Sequence, residues 1–199
     1  MLIFGITGGT GAGKSSVSEV FRSNGIYVID ADKTARRVTE PGTDCLNELR
    51  EHFGTSIINE DGGLKRRELG AIVFSDKKQL DVLNEITHKY IYKEIENKLL
   101  KTAPELAAID GAVIIGSPIE EMCSFIVSVV ADEDVRLKRI MERDSVSEEE
   151  ARNRIASQPN ESFYADNSKY LIRNNSTPQE LTAEAEKVIN KIKREFGFE

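Results

Sequence analysis

Eight residues near the start of the chain, Gly8-Gly9-Thr10-Gly11-Ala12-Gly13-Lys14-Ser15, satisfy the pattern GxxxxGK[ST]. Glycines at 8, 9, 11 and 13 let the backbone fold into a concave nest whose N–H groups point at phosphate oxygens, an approach that Cβ atoms would obstruct. Lys14 then offers its charge to the β- and γ-phosphates of a nucleoside triphosphate, and the Ser15 hydroxyl offers a ligand to Mg²⁺. Ala12 and Ser16 complete the stretch expected to surround the phosphates. A bare glycine-rich turn is the plainer alternative, and the flanking elements weigh against it: an apolar run precedes the pattern and a helical pattern follows it.

A second group of residues lies in Asp30-Ala31-Asp32-Lys33-Thr34-Ala35-Arg36. Two carboxylates and an arginine just beyond a strand suit substrate handling, because strand ends deliver side chains to the ligand crevice of an open α/β sheet. Asp32 is the candidate to orient a hydroxyl nucleophile and accept its proton, with Asp30 in reserve and Arg36 beside them. The same aspartates have a structural use as helix caps. Farther on, Arg139 and Arg143 sit four apart, share one helix face, and can reach phosphates or stack on adenine; alternatively, with Glu142 and Asp144, they form a solvated charged face. Asp110 ends a strand where it could hold the water shell of Mg²⁺, or simply turn the chain before Gly111.

The elements that must position these groups follow from hydrophobic periodicity. Short apolar runs at Leu2 to Ile6, Tyr27 to Ile29, Leu106 to Ile109, Phe125 to Ala131 and Tyr170 to Ile172 predict five strands. Helical patterns separate them, so crossovers are long and the strands pair in parallel within a three-layer α/β sandwich. Val17, Val20 and Phe21 give the helix after the glycine loop, and Asn24-Gly25 its stop. Between Thr43 and Thr102 the pattern is helical, with Leu46, Leu49 and Phe53 on one stripe and Leu80, Leu83 and Ile86 on another. Ser147 to Glu150 and Thr177 to Glu180 have capping-box form, and the helix begun by the second runs to Gly197 with Leu181, Ala185, Val188, Ile192 and Phe196 on its apolar stripe.

Composition narrows the partners. A chain of 199 residues with 39% hydrophobic and 31% charged residues is an ordinary globular protein. Its formal charge of −7 opposes a nucleic-acid partner, whose phosphates demand accumulated Lys and Arg. No apolar run approaches the roughly 20 residues of a membrane span. Cys45 and Cys123 lack metal or disulfide spacing, and the chain opens on an apolar run rather than a basic leader, so a reducing cytoplasm is the expected home. Guanine selection is disfavoured: Asn97-Lys98 and Asn190-Lys191 lack the following Asp of Asn-Lys-x-Asp, and no Asp-x-x-Gly occurs.

Thr7 through Ser16, Val28-Ile29-Asp30-Ala31-Asp32, Ala35-Arg36 and Glu40-Pro41-Gly42 resemble the dephospho-coenzyme A kinase family in order and spacing. Phe53-Gly54, Asn59-Glu60-Asp61-Gly62 and Ile72-Val73-Phe74 extend the similarity over most of the chain. The resemblance implies a P-loop kinase that moves the γ-phosphoryl group of ATP, with Mg²⁺, to the ribose 3′-hydroxyl of dephospho-coenzyme A. It implies Asp32 as base, Arg139 and Arg143 as arginines of a lid motif, Asn174 near adenine, and His88 in a substrate subdomain. It also implies one kinase domain over 1–199 with a helical substrate subdomain at about 43–102 and a helical lid at about 143–168, the protein being a monomer or weak homo-oligomer. Read without it, Asn174 is equally a turn residue and His88 a structural one.

The match departs in places. The family's Pro-Leu-Leu run ending in an acidic residue is Ala112-Val113-Ile114-Ile115-Gly116 here, its usual glutamine before the lid arginines is Arg136, and Lys89 replaces a proline after His88. The stretch after Gln158 carries few basic residues. A kinase acting on a nucleoside monophosphate or another small hydroxyl metabolite, or a regulator that binds ATP without transferring phosphate, are the competing readings.

Overall fold

Apolar runs too short for helices form the strands β1 (Leu2–Gly8), β2 (Tyr27–Asp30), β3 (Leu106–Asp110), β4 (Ile126–Val130) and β5 (Tyr170–Arg173) in a computed structural model that describes residues 1–198. They make one five-stranded parallel sheet in the order β2-β3-β1-β4-β5. β1 is central, with Phe4 and Ile6 fully buried, as a strand covered on both faces requires. All five predicted strands are present at these positions.

Two compact units divide the chain: residues 1–29 with 104–199, and residues 30–103. In the first unit the helices are α1 (Lys14–Ser23) and, after the second unit's four, α6 (Glu133–Asp144), α7 (Glu148–Ala156), α8 (Glu161–Asp166) and α9 (Pro178–Phe196). Those four are α2 (Ala31–Arg37), α3 (Asp44–Phe53), α4 (Arg66–Ser75) and α5 (Lys77–Thr102).

The main core of the first unit packs Val17 and Phe21 of α1 and Leu181, Ala185, Val188 and Ile192 of α9 onto Phe4, Ile6, Val127 and Val129 of the sheet. The stripe expected along the last helix is thus the packed face, and Phe196 stacks on Phe125 at 5.1 Å. Because side chains alternate along a strand, Ser128 faces the other way, where its hydroxyl meets that of Ser168 just beyond α8 at 2.6 Å. Helices therefore cover both faces.

In the second unit α5 is the spine, and α2, α3 and α4 each pack on it. Leu46, Leu49, Leu69, Val73, Ile86, Ile91 and Ile95 are buried there. Thr43 caps α3 by accepting from Leu46 N, and Asp76 caps α5 by accepting from Lys78 N. This helical unit takes in α2 as well as the expected 43–102 stretch. Among the described residues no helix is long and apolar enough to cross a membrane.

Candidate active site

The glycine-rich segment connects the C-terminal end of β1 to the first turn of α1, the connection that the sequence pattern requires. Gly13 is the N-cap residue at φ 90°, and Gly11 lies at φ +76°, a region that L side chains rarely adopt. Gly13 supplies no side-chain cap; its carbonyl accepts from Ser16 N at 3.1 Å, and the start of α1 sets the positive end of the helix dipole at this turn. A cavity of about 720 Å³ opens over this turn, bounded by Gly8 to Gly11, Lys14, Ser15, Arg139, Arg143 and Gln158.

Asp110, 5% exposed at the end of β3, receives the Lys14 ammonium in an ion pair. The hydroxyl of Ser15 and the carboxylate of Asp110 are hard oxygen donors of the kind Mg²⁺ takes one or two at a time while keeping water and phosphate oxygens in its remaining positions. Among the described residues no group of three His, Cys, Asp or Glu could hold a metal by itself. A shared, substrate-dependent Mg²⁺ fits this donor set better than a resident metal cage.

Asn174 follows β5 directly and is buried at 5% exposure. Its amide donates from Nδ2 to Ala12 O at 2.8 Å and accepts at Oδ1 from Arg139 Nη2 at 3.2 Å, while its backbone N–H donates to Val130 O at 2.8 Å. Arg139 Nη1 donates to Asn174 O at 3.0 Å and to Gly11 O at 3.4 Å. The two residues thus grip the carbonyl side of the loop while the Arg139 guanidinium still borders the cavity. Neither a turn-forming asparagine nor a solvated arginine describes these positions.

Arg143, on the last turn of α6, is more exposed and pairs in fork fashion with Asp144, Nε to Oδ1 at 2.7 Å and Nη2 to Oδ2 at 2.9 Å. That hydrogen bonding holds the Asp144 carboxyl below its ordinary range, and Arg154 Nη1 adds to it at 2.8 Å. Arg143 Nη2 also reaches Thr10 Oγ1 at 3.5 Å.

The remaining expected residues belong to the second unit. Asp30 ends β2 and is the N-cap of α2, its Oδ1 accepting from Lys33 N at 2.7 Å, so the capping alternative describes this aspartate. Asp32 lies in the first turn of α2 and Arg36 in its last. His88, on α5, is half-buried, and burial holds its pKa below the ordinary imidazole value. It lines a largely apolar cavity of about 330 Å³ with Leu49, Leu69, Val73 and Leu83.

Sequence reasoning missed Arg136 and Gln158 as site residues. Gln158 Oε1 accepts from Thr10 N at 2.8 Å, and Arg136 Nε donates to Thr10 O at 2.8 Å. One signal was available: Arg136 stands four residues before buried Ile140 and next to buried Leu137, and a cation on the apolar face of a helix must have something to hold.

A dephospho-CoA kinase from Corynebacterium glutamicum is 35% identical over 195 residues, covering 96% of this chain and 98% of that protein. Among solved structures, a Thermus thermophilus protein superposes with a TM-score of 0.84 at 28% identity, covering 96% of each chain. A dephospho-CoA kinase from Campylobacter jejuni does so with a TM-score of 0.65 at 26% identity, covering 96% of this chain and 97% of its own. With residues 2–180 matched by the family model described as dephospho-CoA kinase, a span that holds the glycine loop, Asp32, Asp110, Arg139 and Arg143, this chain belongs to the dephospho-CoA kinase family.

Proposed function

We propose that this chain transfers the γ-phosphoryl group of ATP to the ribose 3′-hydroxyl of dephospho-coenzyme A, giving coenzyme A and ADP, the last step of coenzyme A synthesis. The observation that carries the reading is the family match over residues 2–180, joined to a glycine loop that leads into α1 beside a part-buried lysine–aspartate pair. Main-chain N–H groups of the loop and the Lys14 ammonium bind the triphosphate, and their charge is most valuable as negative charge spreads over the transferring group. Arg139 and Arg143 supply further positive charge from α6. Ser15 would hold Mg²⁺ with Asp110 organising its water, and the ion would supply further positive charge against the phosphate oxygens when bound.

Asp32 is the base. A carboxylate in the first turn of a helix, two residues past the end of a strand, suits a group that orients an alcohol and takes its proton. Arg36 and His88 belong to the same helical unit and contact the acceptor, Asp30 steadying the turn that carries Asp32. Residues at about 43–102 form the substrate subdomain and those at about 143–168 a lid, whose closure excludes water and suppresses hydrolysis. The enzyme works in the cytoplasm as a monomer or weak homo-oligomer with no nucleic-acid partner. Support for this comes from the acidic charge and from two free thiols, Cys45 and Cys123.

The test is incubation of the purified chain with ATP, Mg²⁺ and a panel of dephospho-coenzyme A, nucleoside monophosphates and nucleosides, with products identified by mass. Phosphorylated dephospho-coenzyme A as the dominant product is expected. Preferential phosphorylation of a nucleoside monophosphate, or ADP release indifferent to every acceptor, would overturn the assignment.

A further inference from the structure

Against the glycine loop a charged side chain is buried without an ion pair. Arg136 is 9% exposed, and no ion pair is formed by it among the described residues. Its hydrogen bonds go to neutral acceptors: Nε to Thr10 O at 2.8 Å and Nη2 to Gln158 Oε1 at 2.9 Å. The same Gln158 oxygen accepts from Thr10 N at 2.8 Å, so the Thr10 residue is held at its N–H and its C=O by one arginine–glutamine unit. Burial pushes the guanidinium toward its uncharged form, against weaker opposition from Tyr164 and Glu133.

The packing is close. A Cβ placed on Gly9 would stand 2.7 Å from Arg136 Nη2 and 3.0 Å from its Cζ, and one on Gly11 would stand 2.8 Å from Arg136 O. Gly11 is therefore held to glycine by the α6 backbone as well as by its φ, whereas at Gly9 the end of the Arg136 side chain would have to shift. Gln158, Arg139 and Arg143 border the cavity, but Arg136 does not. Arg136 can act on a bound nucleotide only through the loop and through its field.

We infer that Arg136 is a positioning residue for the triphosphate, a buried cation without an ion pair that is fixed against the loop, sets the Thr10 peptide and has its charge balanced when a polyphosphate fills the cavity. The inference rests on the reading of that cavity as a nucleoside triphosphate site, and not on the identity of the acceptor. A buried cation without a counter-ion destabilises the empty protein and favours any state that brings anionic charge near it, in a medium where screening is weak. The guanidinium is suited to this because its planar fork meets a carbonyl and an amide oxygen together while keeping its charge.

The test measures ATP and ADP affinity by calorimetry, without acceptor, for wild type, Arg136→Gln and Arg136→Lys across a range of salt concentrations, with melting temperature as the folding control. Arg136→Gln should weaken ATP binding about tenfold or more and flatten the dependence of log Kd on log salt, because one cation has gone from the site. Arg136→Lys should keep the wild-type salt slope and bind within about threefold, since the charge remains. In turnover, Arg136→Gln should raise KM for ATP while kcat and KM for the acceptor stay within about threefold, the signature of lost ground-state binding. A residue that merely supports the fold would lower the melting temperature of both variants without altering the salt slope. If Arg136→Gln binds ATP as tightly as wild type with the same slope, or if Arg136→Lys loses the slope too, the inference fails. Should wild type bind ATP but not phosphorylate dephospho-coenzyme A, the acceptor assignment fails and the binding comparison still decides the role of Arg136.

Discussion

Lys14 and Asp110 form an ion pair in which the carboxylate side chain is 7% exposed, so removing Lys14 takes the ammonium from a carboxylate that water cannot reach easily. In the proposed reaction phosphate oxygens would compete with Asp110 for the ammonium, and the loop amides would bias that competition toward the nucleotide. Lys14→Ala is expected to abolish phosphoryl transfer, read as acceptor-dependent ADP release, through loss of charge at the γ-phosphate as well as at Asp110. Asp32→Asn makes a different demand, because the amide keeps the shape but cannot take a proton. It should leave the Kd for ATP nearly unchanged and cut kcat by about a hundredfold or more. Wild-type turnover by Asp32→Asn would remove Asp32 from the role of base.

Among the elements, α6 carries two kinds of work on one short helix. Leu137 and Ile140 pack against Ala151 and Ile155 of α7, while Arg139 reaches the Gly11 carbonyl and Arg143 the Thr10 hydroxyl of the glycine loop. Helical spacing of three and four places both sets correctly. The two sequence capping boxes turn out unequal. At α9 both halves exist, Glu180 N donating to Thr177 Oγ1 at 3.3 Å and Thr177 N to Glu180 Oε2 at 3.2 Å. At α7 Ser147 Oγ accepts from Glu150 N at 3.2 Å, but the Glu150 carboxylate accepts from Arg154 Nη2 at 2.8 Å instead of closing the box. Thr177→Ala should therefore cost about 1 kcal/mol and lower Tm by about 2–4 °C, with Ser147→Ala costing less, both measured by thermal unfolding. Equal shifts would mean that the reciprocal half of the box adds nothing.

At the scale of the whole molecule, both thiols are sheltered, Cys45 buried and Cys123 half-buried. Burial, with Glu48 adding, pushes the pKa of Cys45 up to about 11; burial, with Glu120 adding, pushes Cys123 up to about 12. Thiols with an ordinary pKa near about 8.5 are partly ionised at pH 8, and these two are almost wholly protonated there. The native protein is expected to react with a disulfide reagent at pH 8 about a hundredfold more slowly, or less, than the chain in denaturant. A fast-reacting thiol in the folded protein, located by peptide mass, would contradict the burial of that cysteine. The charge of −7 is carried by the whole chain while Lys14, Arg136, Arg139 and Arg143 gather at one loop, a local reversal of sign.

The glycine loop, the five strands and the helix stripes were legible because each depends on residues close in sequence: GxxxxGK[ST] specifies its own turn, and apolar runs and three-to-four spacing declare period and burial. Asp30 as a cap was legible too, as one of two uses that local pattern allows. What distance along the chain concealed was the back of the site. Thr10 meets Gln158 and Arg136, and Ala12 meets Asn174, across more than a hundred residues, joined only because β1, β4 and β5 lie side by side and α6 crosses the loop. The sequence by itself determined that a phosphate-binding turn would form and what groups it would present. Only the tertiary structure decided what holds that turn in place, since a hydrogen bond to a main-chain carbonyl leaves no mark on the residue that owns the carbonyl.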